Sequence, residues 1–286
     1  MKPAEVPPPS SNSLVVAAPA KINLYLDVLG RRADGFHELE TVFQTLELAD
    51  TLTVTRCAAG VTLRCSDARL PCDAGNLAYQ AAAAYLALRP DFGGLQIDLE
   101  KLIPHGAGLG GGSSDAAAVL RACRALDPEP LPGTQLAEVA LALGSDVPVF
   151  LIGGTAYATG RGEVLTAMAD RPAQVVTVLM PDAHLPTPSV FKALTDSERG
   201  PRSAHGAGWA AAAADHELLA NRLTAPACRL CPPVADLLAW LASQGLPHLM
   251  SGSGAACFVL GTLAPPSGVR AFVTAFRPRG RLDAPG

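Results

Sequence analysis

The chain has 286 residues, of which 49% are hydrophobic and 17% charged, so it is too apolar to be an intrinsically disordered protein. Its formal net charge is −4 and its pI is about 5.9, and no basic stripe of the kind found in nucleic-acid-binding proteins runs along it. No stretch approaches the roughly 18 apolar residues that a membrane-spanning helix needs. These properties exclude a nucleic-acid partner and a membrane partner, and an anionic ligand must be held by a local site.

The seven cysteines are distributed from Cys57 to Cys257, and their odd number does not fit a disulfide framework. Cys228 and Cys231 form a single CxxC without a second pair or histidines at zinc spacing, and their role stays open. The proline-rich lead over residues 1–12 lacks the apolar core of a signal peptide. We therefore expect a reduced, cytoplasmic protein with a loosely ordered lead, either a monomer or a homodimer.

The first half of the chain reads as strands followed by helices. Alternating or β-branched runs predict strands over residues 13–18, 22–29, 40–46, 50–56, 61–65 and 95–99, with a break at Pro19 and a turn over residues 30–35. Alanine-rich runs predict helices over residues 76–88, 113–126 and 134–143. Asn76 is placed to cap the first of these helices and Pro90 to end it.

The pattern starts afresh from Val175. A buried strand is predicted over residues 174–180 and another over 255–260, with short helices over 189–194 and 217–223, a loop over 200–214 and an amphipathic helix over 234–244. The order of elements indicates an α+β fold. We place a domain boundary between residues 158 and 171, which gives an N-terminal domain over 1–160 and a C-terminal domain over 161–286.

The strongest local signal is a glycine-rich loop between a predicted strand and a predicted helix. Glycines at five of the seven positions from 106 to 112 permit positive φ angles and let backbone N–H groups approach an anion. The helix that follows adds free N–H donors, so the segment predicts a phosphate-binding site. It is not a Walker A loop, because no Gly-Lys-Ser/Thr follows. It is not a dinucleotide fingerprint either, because Asp127 and Glu129 lie in a proline-rich turn instead of at a strand end.

Three segments in order resemble the motifs of the GHMP kinases, the family of galactokinase, homoserine kinase and mevalonate kinase. Residues 19–24 resemble the first motif, residues 104–115 the second and residues 251–254 the third. The resemblance implies a ribosomal protein S5 domain 2-like N-terminal domain that binds ATP and a ferredoxin-like C-terminal domain that binds the substrate. The active site is then expected in the cleft between them, with ATP and Mg²⁺ as cofactors.

Further segments at residues 31–39, 144–150 and 186–192 resemble one group of this family, the kinases of 4-diphosphocytidyl-2-C-methyl-D-erythritol. Those enzymes phosphorylate the 2-hydroxyl of that small molecule with ATP in the non-mevalonate isoprenoid pathway. The chain departs from the pattern at Phe36, where tyrosine is common, and its two ends match nothing in the family. Two alternatives are another small-molecule kinase of the homoserine or mevalonate type and a catalytically silent ligand sensor.

The resemblance also implies roles for individual residues. Asp146 is expected to be the general base, with Lys21 as its partner, and this lysine lies in an apolar strand of a chain that otherwise prefers arginine. Phe36 and Phe191 are expected to stack on the cytosine ring from opposite faces, with His37 as its hydrogen-bond partner. Ser113 and Ser114 could cap the helix, contact a phosphate or ligate Mg²⁺, and the sequence does not separate these roles.

The remaining expected site residues fall into three sets. The ATP site comprises Asn76, Leu77, Lys101, Pro104, Gly106, Gly108, Leu109, Gly110, Gly111, Gly112, Ser113 and Ser114. The substrate site comprises Asn23, Phe36, His37, Thr187 and Phe191. The second glycine loop comprises Ser251, Gly252, Ser253 and Gly254.

Overall fold

The computed structural model describes residues 12–200, 205–213 and 215–282, so nearly all of the expected lead over residues 1–12 lies outside the described residues. The elements of the first half are β1 Ser13–Arg31, β2 His37–Cys57, β3 Gly60–Cys65, α1 Leu77–Leu88, β4 Gly94–Glu100, α2 Gly111–Leu126, α3 Gly133–Leu143, α4 Val149–Ile152, β5 Thr155–Gly160 and β6 Val164–Ala167. Those of the second half are β7 Val175–Met180, α5 Thr187–Lys192, α6 Ala207–Ala212, α7 Asp215–Leu218, β8 Ala220–Asn221, α8 Thr224–Leu230, α9 Pro232–Ser243, β9 His248–Met250, β10 Cys257–Leu260 and β11 Arg270–Ala275.

A seven-stranded sheet contains the strands of the first half together with β8, in the order β3-β4-β2-β1-β8. Strand β5 pairs with β2 off this path, and β6 pairs with β5. The centre of the sheet is the long antiparallel pair β1 and β2. The helices α1 and α2 pack on this sheet through alanines such as Ala81 and Ala117, which let the helices approach closely around Tyr85 and Leu120. The Asn76 cap is confirmed, because its side-chain oxygen accepts a hydrogen bond from the backbone N–H of Ala78 at 3.0 Å.

The predicted break at Pro19 is wrong, because β1 runs through it as one strand. The pairing of β1 with β2 shifts register between Pro19 and Lys21 and again between Asn23 and Tyr25, so the strand accommodates the proline as a bulge. The strands predicted over residues 40–46 and 50–56 are likewise one strand, β2. Helix α2 begins at Gly111, inside the glycine-rich loop and ahead of the predicted start at residue 113.

The second sheet has four antiparallel strands in the order β11-β7-β10-β9. Counted along the chain this is the order 4-1-3-2 of a ferredoxin-like sheet, so the predicted α+β, two-domain GHMP fold is confirmed. Helix α9 covers one face of this sheet through Val234, Leu237 and Leu241. No helix within the described residues is both long enough and apolar enough to cross a membrane.

The predicted helix over residues 217–223 is wrong from residue 219 onwards. Helix α7 ends at Leu218, and the next residues form β8, which adds to the free edge of β1 by parallel pairing opposite Tyr25 and Leu26. Tertiary pairing overrides local helix propensity at this point. In the predicted loop over residues 200–214, the described part contains α6.

The two halves of the chain share elements. Strand β8 belongs to the first sheet, and Phe276 forms an isolated antiparallel bridge with Leu46 of β2. The buried guanidinium of Arg277 donates to Glu47 Oε2 at 3.0 Å. The boundary between the two domains at residue 160 therefore stays a prediction. Strand pairing and side-chain contacts both join the two parts of the chain.

Candidate functional site: two glycine loops around a buried lysine

The first glycine loop links β4 to the N-terminus of α2. Gly106, Gly108 and Gly110 have φ angles of +69°, +75° and +73°, a region that residues with a Cβ rarely adopt. Gly110 is the N-cap of α2, so the free N–H groups of the first helical turn lie directly beyond the loop. Free backbone N–H groups at a helix N-terminus behind a glycine loop are an arrangement that suits an anion, and the phosphate site stays a prediction.

The second glycine loop, residues 251–254, packs on the first. The Ser251 hydroxyl donates to the Gly108 carbonyl oxygen at 3.1 Å, and the backbone N–H of Ala256 donates to the Ala107 carbonyl at 3.1 Å. A Cβ on Gly108 would collide with the Ser251 carbonyl oxygen and would lie 2.9 Å from that of Gly254. Glycine at position 108 is therefore required for the contact between the loops.

Lys21 lies where the two loops meet. Its side chain is buried, with 4% of the residue exposed, and Nζ donates to Asn23 Oδ1 at 2.8 Å. Its backbone N–H donates to the Leu109 carbonyl at 2.9 Å, which ties β1 to the first loop. A Cβ on Gly252 would lie 3.2 Å from Lys21 Nζ, so the second loop lies against the ammonium group as well. An ammonium charge is thus fixed at the junction of both loops.

Asp146 forms an ion pair with the same ammonium group. Its Oδ2 lies 3.5 Å from Lys21 Nζ, and 37% of its side chain is exposed, so this carboxylate is open to a molecule in the cleft. Asp146 stands between the end of α3 and the start of α4, the short helix whose Phe150 packs against Gly110. The structure brings together Lys21 and Asp146 as a close pair, as the resemblance implies.

A buried ion cluster supports the start of the first glycine loop. Lys101 Nζ donates to Asp115 Oδ2 at 2.7 Å and to Asp50 Oδ2, and Asp50 Oδ1 accepts from the backbone N–H of Ile103 at 2.8 Å. Burial raises the pKa of Asp115 to about 8, against the lowering influence of Lys101. Lys101, expected in the ATP site, thus has its ammonium between the side chains of Asp50 and Asp115, and a Cβ on Gly111 of the loop would lie 3.3 Å from Nζ. Asp50 was not identified from the sequence, because no motif contains it.

The aromatic residues lie at the edge of the cleft. The rings of His37 and Phe191 are stacked, with centroids 5.0 Å apart and planes at 29°. Desolvation, with the positive charges of Arg199 and Arg31, lowers the pKa of His37. Phe36 is 53% exposed and lies under the guanidinium of Arg161, whose Cζ is 4.6 Å from the ring centroid. Among the described ring contacts Phe191 pairs with His37, and none joins Phe36 to either of these rings.

A groove of about 620 Å³ runs from Phe36 to the residue before Asp146. Its walls are Phe36 and Arg161 on one side and the end of α3 on the other; the lining residues are Phe36, Glu138, Leu141, Ala142, Gly144, Ser145 and Arg161. Lys21 and Asp146 are not among the residues that line it, although Ser145 directly precedes Asp146 in the chain. Arg161 and Glu138 in its walls were not expected from the sequence.

The other expected residues take the following places. Asn23 is buried and donates from Nδ2 to Thr41 Oγ1 at 2.8 Å, and Thr187 and Ser253 share a hydroxyl hydrogen bond of 2.7 Å. Leu77 opens α1, and its Cδ1 would lie 3.7 Å from a Cβ on Gly112, so the start of α1 borders the first turn of α2. Pro104 begins the glycine loop, and Gly254 packs against Met250.

Comparisons with known proteins bear on this geometry. Residues 76–154 match the GHMP kinases N terminal domain and residues 209–278 match the GHMP kinases C terminal domain. The chain is 43% identical to a 4-diphosphocytidyl-2-C-methyl-D-erythritol kinase of Thermus thermophilus, over 93% of this chain and 94% of the relative. The chain belongs to the GHMP kinase family.

Other relatives support the same family assignment. The enzyme of the same name from Polaromonas sp. is 43% identical, over 86% of this chain and 82% of that protein. A crystal structure of 4-(cytidine 5′-diphospho)-2C-methyl-D-erythritol kinase superimposes with a TM-score of 0.78 at 39% identity, covering 92% of this chain and 100% of that one. A homoserine kinase from Cytophaga hutchinsonii has a TM-score of 0.71 at 17% identity, which shows a shared fold alone. The chain is therefore an ATP-dependent kinase, and it groups with the relatives named for the cytidylyl substrate.

Proposed function

We propose that the chain transfers the γ-phosphoryl group of ATP to the 2-hydroxyl of 4-diphosphocytidyl-2-C-methyl-D-erythritol. The observation that carries the proposal is the Lys21–Asp146 pair beside the two packed glycine loops, with the Asp146 carboxylate partly exposed. An acceptor that has an aromatic base at one end and an alcohol at the other would place its alcohol at this carboxylate and its base at the aromatic residues, the exposed Phe36 and the His37–Phe191 stack. The names of the relatives support the same substrate.

The proposed phosphoryl transfer depends on positioning the acceptor hydroxyl and stabilising the phosphoryl charge, and no covalent intermediate with the protein is needed. Asp146 would orient the acceptor hydroxyl and accept its proton as the oxygen attacks the γ-phosphorus. Lys21 Nζ, held by Asn23 at 2.8 Å, would lie against the phosphoryl oxygens whose charge rises in the transition state. Because the ammonium group is buried and already oriented, no reorganisation is needed when that charge develops.

The two predicted domains, residues 1–160 and 161–286, would both contribute to binding ATP and the acceptor. The first glycine loop and the N-terminus of α2 would hold the ATP phosphates, with Asn76 and Leu77 at the start of α1 beside the adenine. The second glycine loop, packed on Gly108, would close the phosphate site from the other domain. Thr187 and Phe191 of the second domain and Asn23, Phe36 and His37 of the first would then contact the acceptor, with Phe36 and Phe191 against the cytosine and His37 as its hydrogen-bond partner.

Mg²⁺ is expected with ATP, and the residues present could supply one of its ligands while the nucleotide supplies the others. Within the described residues there is no group of three or more His, Cys, Asp or Glu side chains that could hold a metal ion. The hydroxyl of Ser114 is buried and has no hydrogen-bond partner, and Ser113 is partly exposed in the first turn of α2. One of these serines would supply an oxygen ligand while the triphosphate supplies others. The bound ion would neutralise phosphate charge.

The test is a coupled ADP-release assay in which the cytidylyl substrate, homoserine and mevalonate are compared at equal concentration. We expect turnover only with the cytidylyl substrate. Turnover with homoserine or mevalonate instead would establish one of the two alternative kinases. ATP binding without turnover of any acceptor would favour a ligand sensor.

A further inference from the structure

Asn221 lies outside every motif that resembles the family's glycine loops, yet its side chain contacts one of those loops. It is 9% exposed and forms β8 with Ala220, where it pairs with Leu26 of β1. Its Nδ2 donates two hydrogen bonds, to the Met250 carbonyl oxygen at 2.8 Å and to the Gly252 carbonyl oxygen at 2.7 Å. Its Oδ1 accepts from the backbone N–H of Leu223 at 2.9 Å. The amide therefore uses both of its donor hydrogens on the second glycine loop and the residue that precedes it.

These two bonds determine which way the loop's polar groups face. With the carbonyl oxygens of Met250 and Gly252 turned toward Asn221, the backbone N–H groups of Gly252 and Ser253 make no backbone hydrogen bond within the described part of the chain. Gly252 has a φ angle of +56°, and a Cβ there would lie 3.1 Å from the Gly108 carbonyl oxygen and 3.2 Å from Lys21 Nζ. The tethered loop thus faces both the first glycine loop and the ammonium group.

Asn221 also connects this loop to the strand that carries Lys21. The backbone N–H of Arg222 donates to the Leu26 carbonyl at 2.9 Å, and the Arg222 guanidinium donates from Nε to Asp27 Oδ1 at 2.9 Å. Strand β8 is therefore fixed to β1 beside Asn221. A displacement of the second loop relative to Lys21 must break either this pairing or the two amide hydrogen bonds.

We infer that Asn221 is a positioning residue for phosphoryl transfer, which holds the second glycine loop against Lys21 and directs its free N–H groups toward the ATP phosphates. The inference rests on the proposed function, in which that loop closes the phosphate site. Asn221 itself does not touch the reacting atoms. Its loss would leave two buried carbonyl groups without donors and would release the loop from β1.

The decisive variant is Asn221→Asp, which keeps the shape and the acceptor for Leu223 but removes both donors. An ionised carboxylate facing two carbonyl oxygens is unfavourable, whereas the protonated acid can donate to one of them. At pH 8.5 we expect kcat/KM for ATP to fall by about tenfold or more, because two buried acceptors lose their donor. Between pH 8.5 and pH 6 the activity relative to the native chain should recover several-fold, as the acid gains its proton.

Two further variants separate positioning from general destabilisation. Asn221→Ser lacks the amide and does not titrate, so its lowered kcat/KM for ATP should show no recovery at pH 6. Thr177→Val is the matched control, because the buried Thr177 hydroxyl donates to the Gly261 carbonyl at 2.8 Å and accepts from the Leu263 N–H at 3.1 Å. It thus holds the loop that follows β10 in the second sheet, away from the second glycine loop. This control should lower Tm while leaving kcat and both KM values unchanged.

All variants are assayed well below their Tm, with ATP affinity measured by calorimetry in the absence of the acceptor. Wild-type kinetic constants in a folded Asn221→Asp variant at pH 8.5 would overturn the inference. Failure of both Asn221 variants to fold would overturn it too, because Asn221 would then act on the fold as a whole. If the native chain binds ATP but does not phosphorylate the cytidylyl substrate, the proposed function fails, while the ATP affinities of the variants still test the tether.

Discussion

At the scale of single residues, Lys21 shows why a lysine and not an arginine occupies this strand. A Cβ on Gly252 would lie 3.2 Å from its Nζ, and a Cβ on Gly110 would lie 3.2 Å from its Cγ, so the side chain runs through a channel between two glycine loops. A compact ammonium fits such a channel, whereas a planar guanidinium needs more room. Because Gly110 and Gly252 have no side chains, they leave room for the lysine and its ammonium group.

The pairing of Lys21 with Asp146 gives the first prediction. In Asp146→Asn the amide keeps the shape but cannot accept the hydroxyl proton, so kcat should fall by about 10²–10⁴-fold, the usual range for loss of a general base. KM for the acceptor should stay within a few-fold, because the amide still forms a hydrogen bond. The measurement is steady-state kinetics over the range from acidic to mildly alkaline pH, with the exposed Asp236→Asn as a control that should behave as the native chain.

Lys21→Ala belongs to the same experiment. It should also lower kcat, and the double variant should be little worse than the worse of the two single variants, because groups that act as a unit are not additive. A small rate loss in Asp146→Asn with an unchanged acidic limb of the pH profile would mean that Asp146 orients the hydroxyl without taking its proton. Phosphoryl transfer through a loose transition state permits that outcome.

A second residue-scale prediction concerns the glycines of the phosphate site. Gly108 cannot provide a clean test, because any Cβ there collides with the second loop and would disturb the fold together with ATP binding. Gly112 can, because a Cβ there meets only Leu77 Cδ1, at 3.7 Å. Gly112→Ala should therefore keep or raise Tm, since alanine favours the helix, while KM for ATP rises because the methyl group occupies space beside the phosphates.

Gly133→Ala is the matched control for Gly112→Ala. Gly133 also stands in the first turn of a helix, α3, and a Cβ there meets nothing within 4 Å. This control should change neither KM for ATP nor kcat. Equal kinetic constants for both alanine variants would show that the first turn of α2 does not contact the nucleotide.

At the level of helices and strands, the sequence predicted the elements whose ends depend on neighbouring residues in the chain. Helices α1 and α3 end where their caps and breakers place the ends, and the Asn76 cap has the expected hydrogen bond. The sequence could not predict that Pro19 would be accommodated in a bulge, because the bulge depends on pairing with β2. Strand β8 was missed for the same reason, since two residues become a strand only beside the free edge of β1. Asn221, which β8 carries, was therefore missed as well.

As with the helices and strands, only part of the candidate site could be predicted from the sequence. The glycine loops, Lys21 and Asp146 were identified because short motifs carry them, and the structure brings them together. Asp50 and Arg161 were not identified, because their roles depend on which strands and turns face the cleft. Lys101 was expected in the ATP site, and its ammonium lies in the buried ion cluster, 3.3 Å from where a Cβ on Gly111 of the first glycine loop would stand. Its contact with the nucleotide stays a prediction.

The contact between β2 and α5 gives an element-scale prediction. His37 at the start of β2 stacks on Phe191 of α5, and the desolvated imidazole is neutral near pH 7 because its pKa is lowered. Phe191→Leu keeps an apolar side chain but removes the ring, so KM for the cytidylyl substrate should rise by about tenfold, within the range of base–aromatic stacking. KM for ATP should change little.

Phe272→Leu is the control for Phe191→Leu, because Phe272 lines a different groove beside Leu48 and Leu102. It should leave both KM values unchanged. If Phe191→Leu raised KM for ATP as much as KM for the acceptor, the ring would serve the packing between β2 and α5 and not the cytosine. Phe36→Ala should behave as Phe191→Leu does if both rings contact the base.

At the scale of the whole molecule, one buried cluster joins three parts of the first domain. Asp50 lies on β2, Lys101 follows β4 and Asp115 lies on α2, so the cluster links the sheet to the helix that follows the first glycine loop. The cluster contains two carboxylates and one ammonium group. Asp115 Oδ1 is buried without a hydrogen-bond partner, which makes the ionised form of Asp115 costly. The stability of the whole domain should therefore depend on the protonation of this one carboxyl.

The sign of that dependence follows from the raised pKa of Asp115. Its pKa is about 8 in the folded chain against 3.8 ordinarily, so between these values the folded state binds one more proton than the unfolded state. The contribution to stability is fully present below pH 3.8 and is lost as the pH rises through about 8. The pKa of Lys101 is also raised, from 10.5, and its contribution is constant over this window because it is lost only at higher pH.

Asp115→Asn tests this dependence, because asparagine resembles the protonated acid but does not titrate. From about pH 5.5 to about pH 8.5 the free energy of unfolding of the native chain should fall relative to that of the variant by up to about 3 kcal/mol, since one unit of pKa difference corresponds to about 1.4 kcal/mol. The measurement is urea unfolding at several pH values without nucleotide or divalent ions. Asp236→Asn should follow the native curve throughout. Parallel curves for Asp115→Asn and the native chain would mean that Asp115 stays ionised in the folded state, so that its pairing with Lys101 outweighs burial.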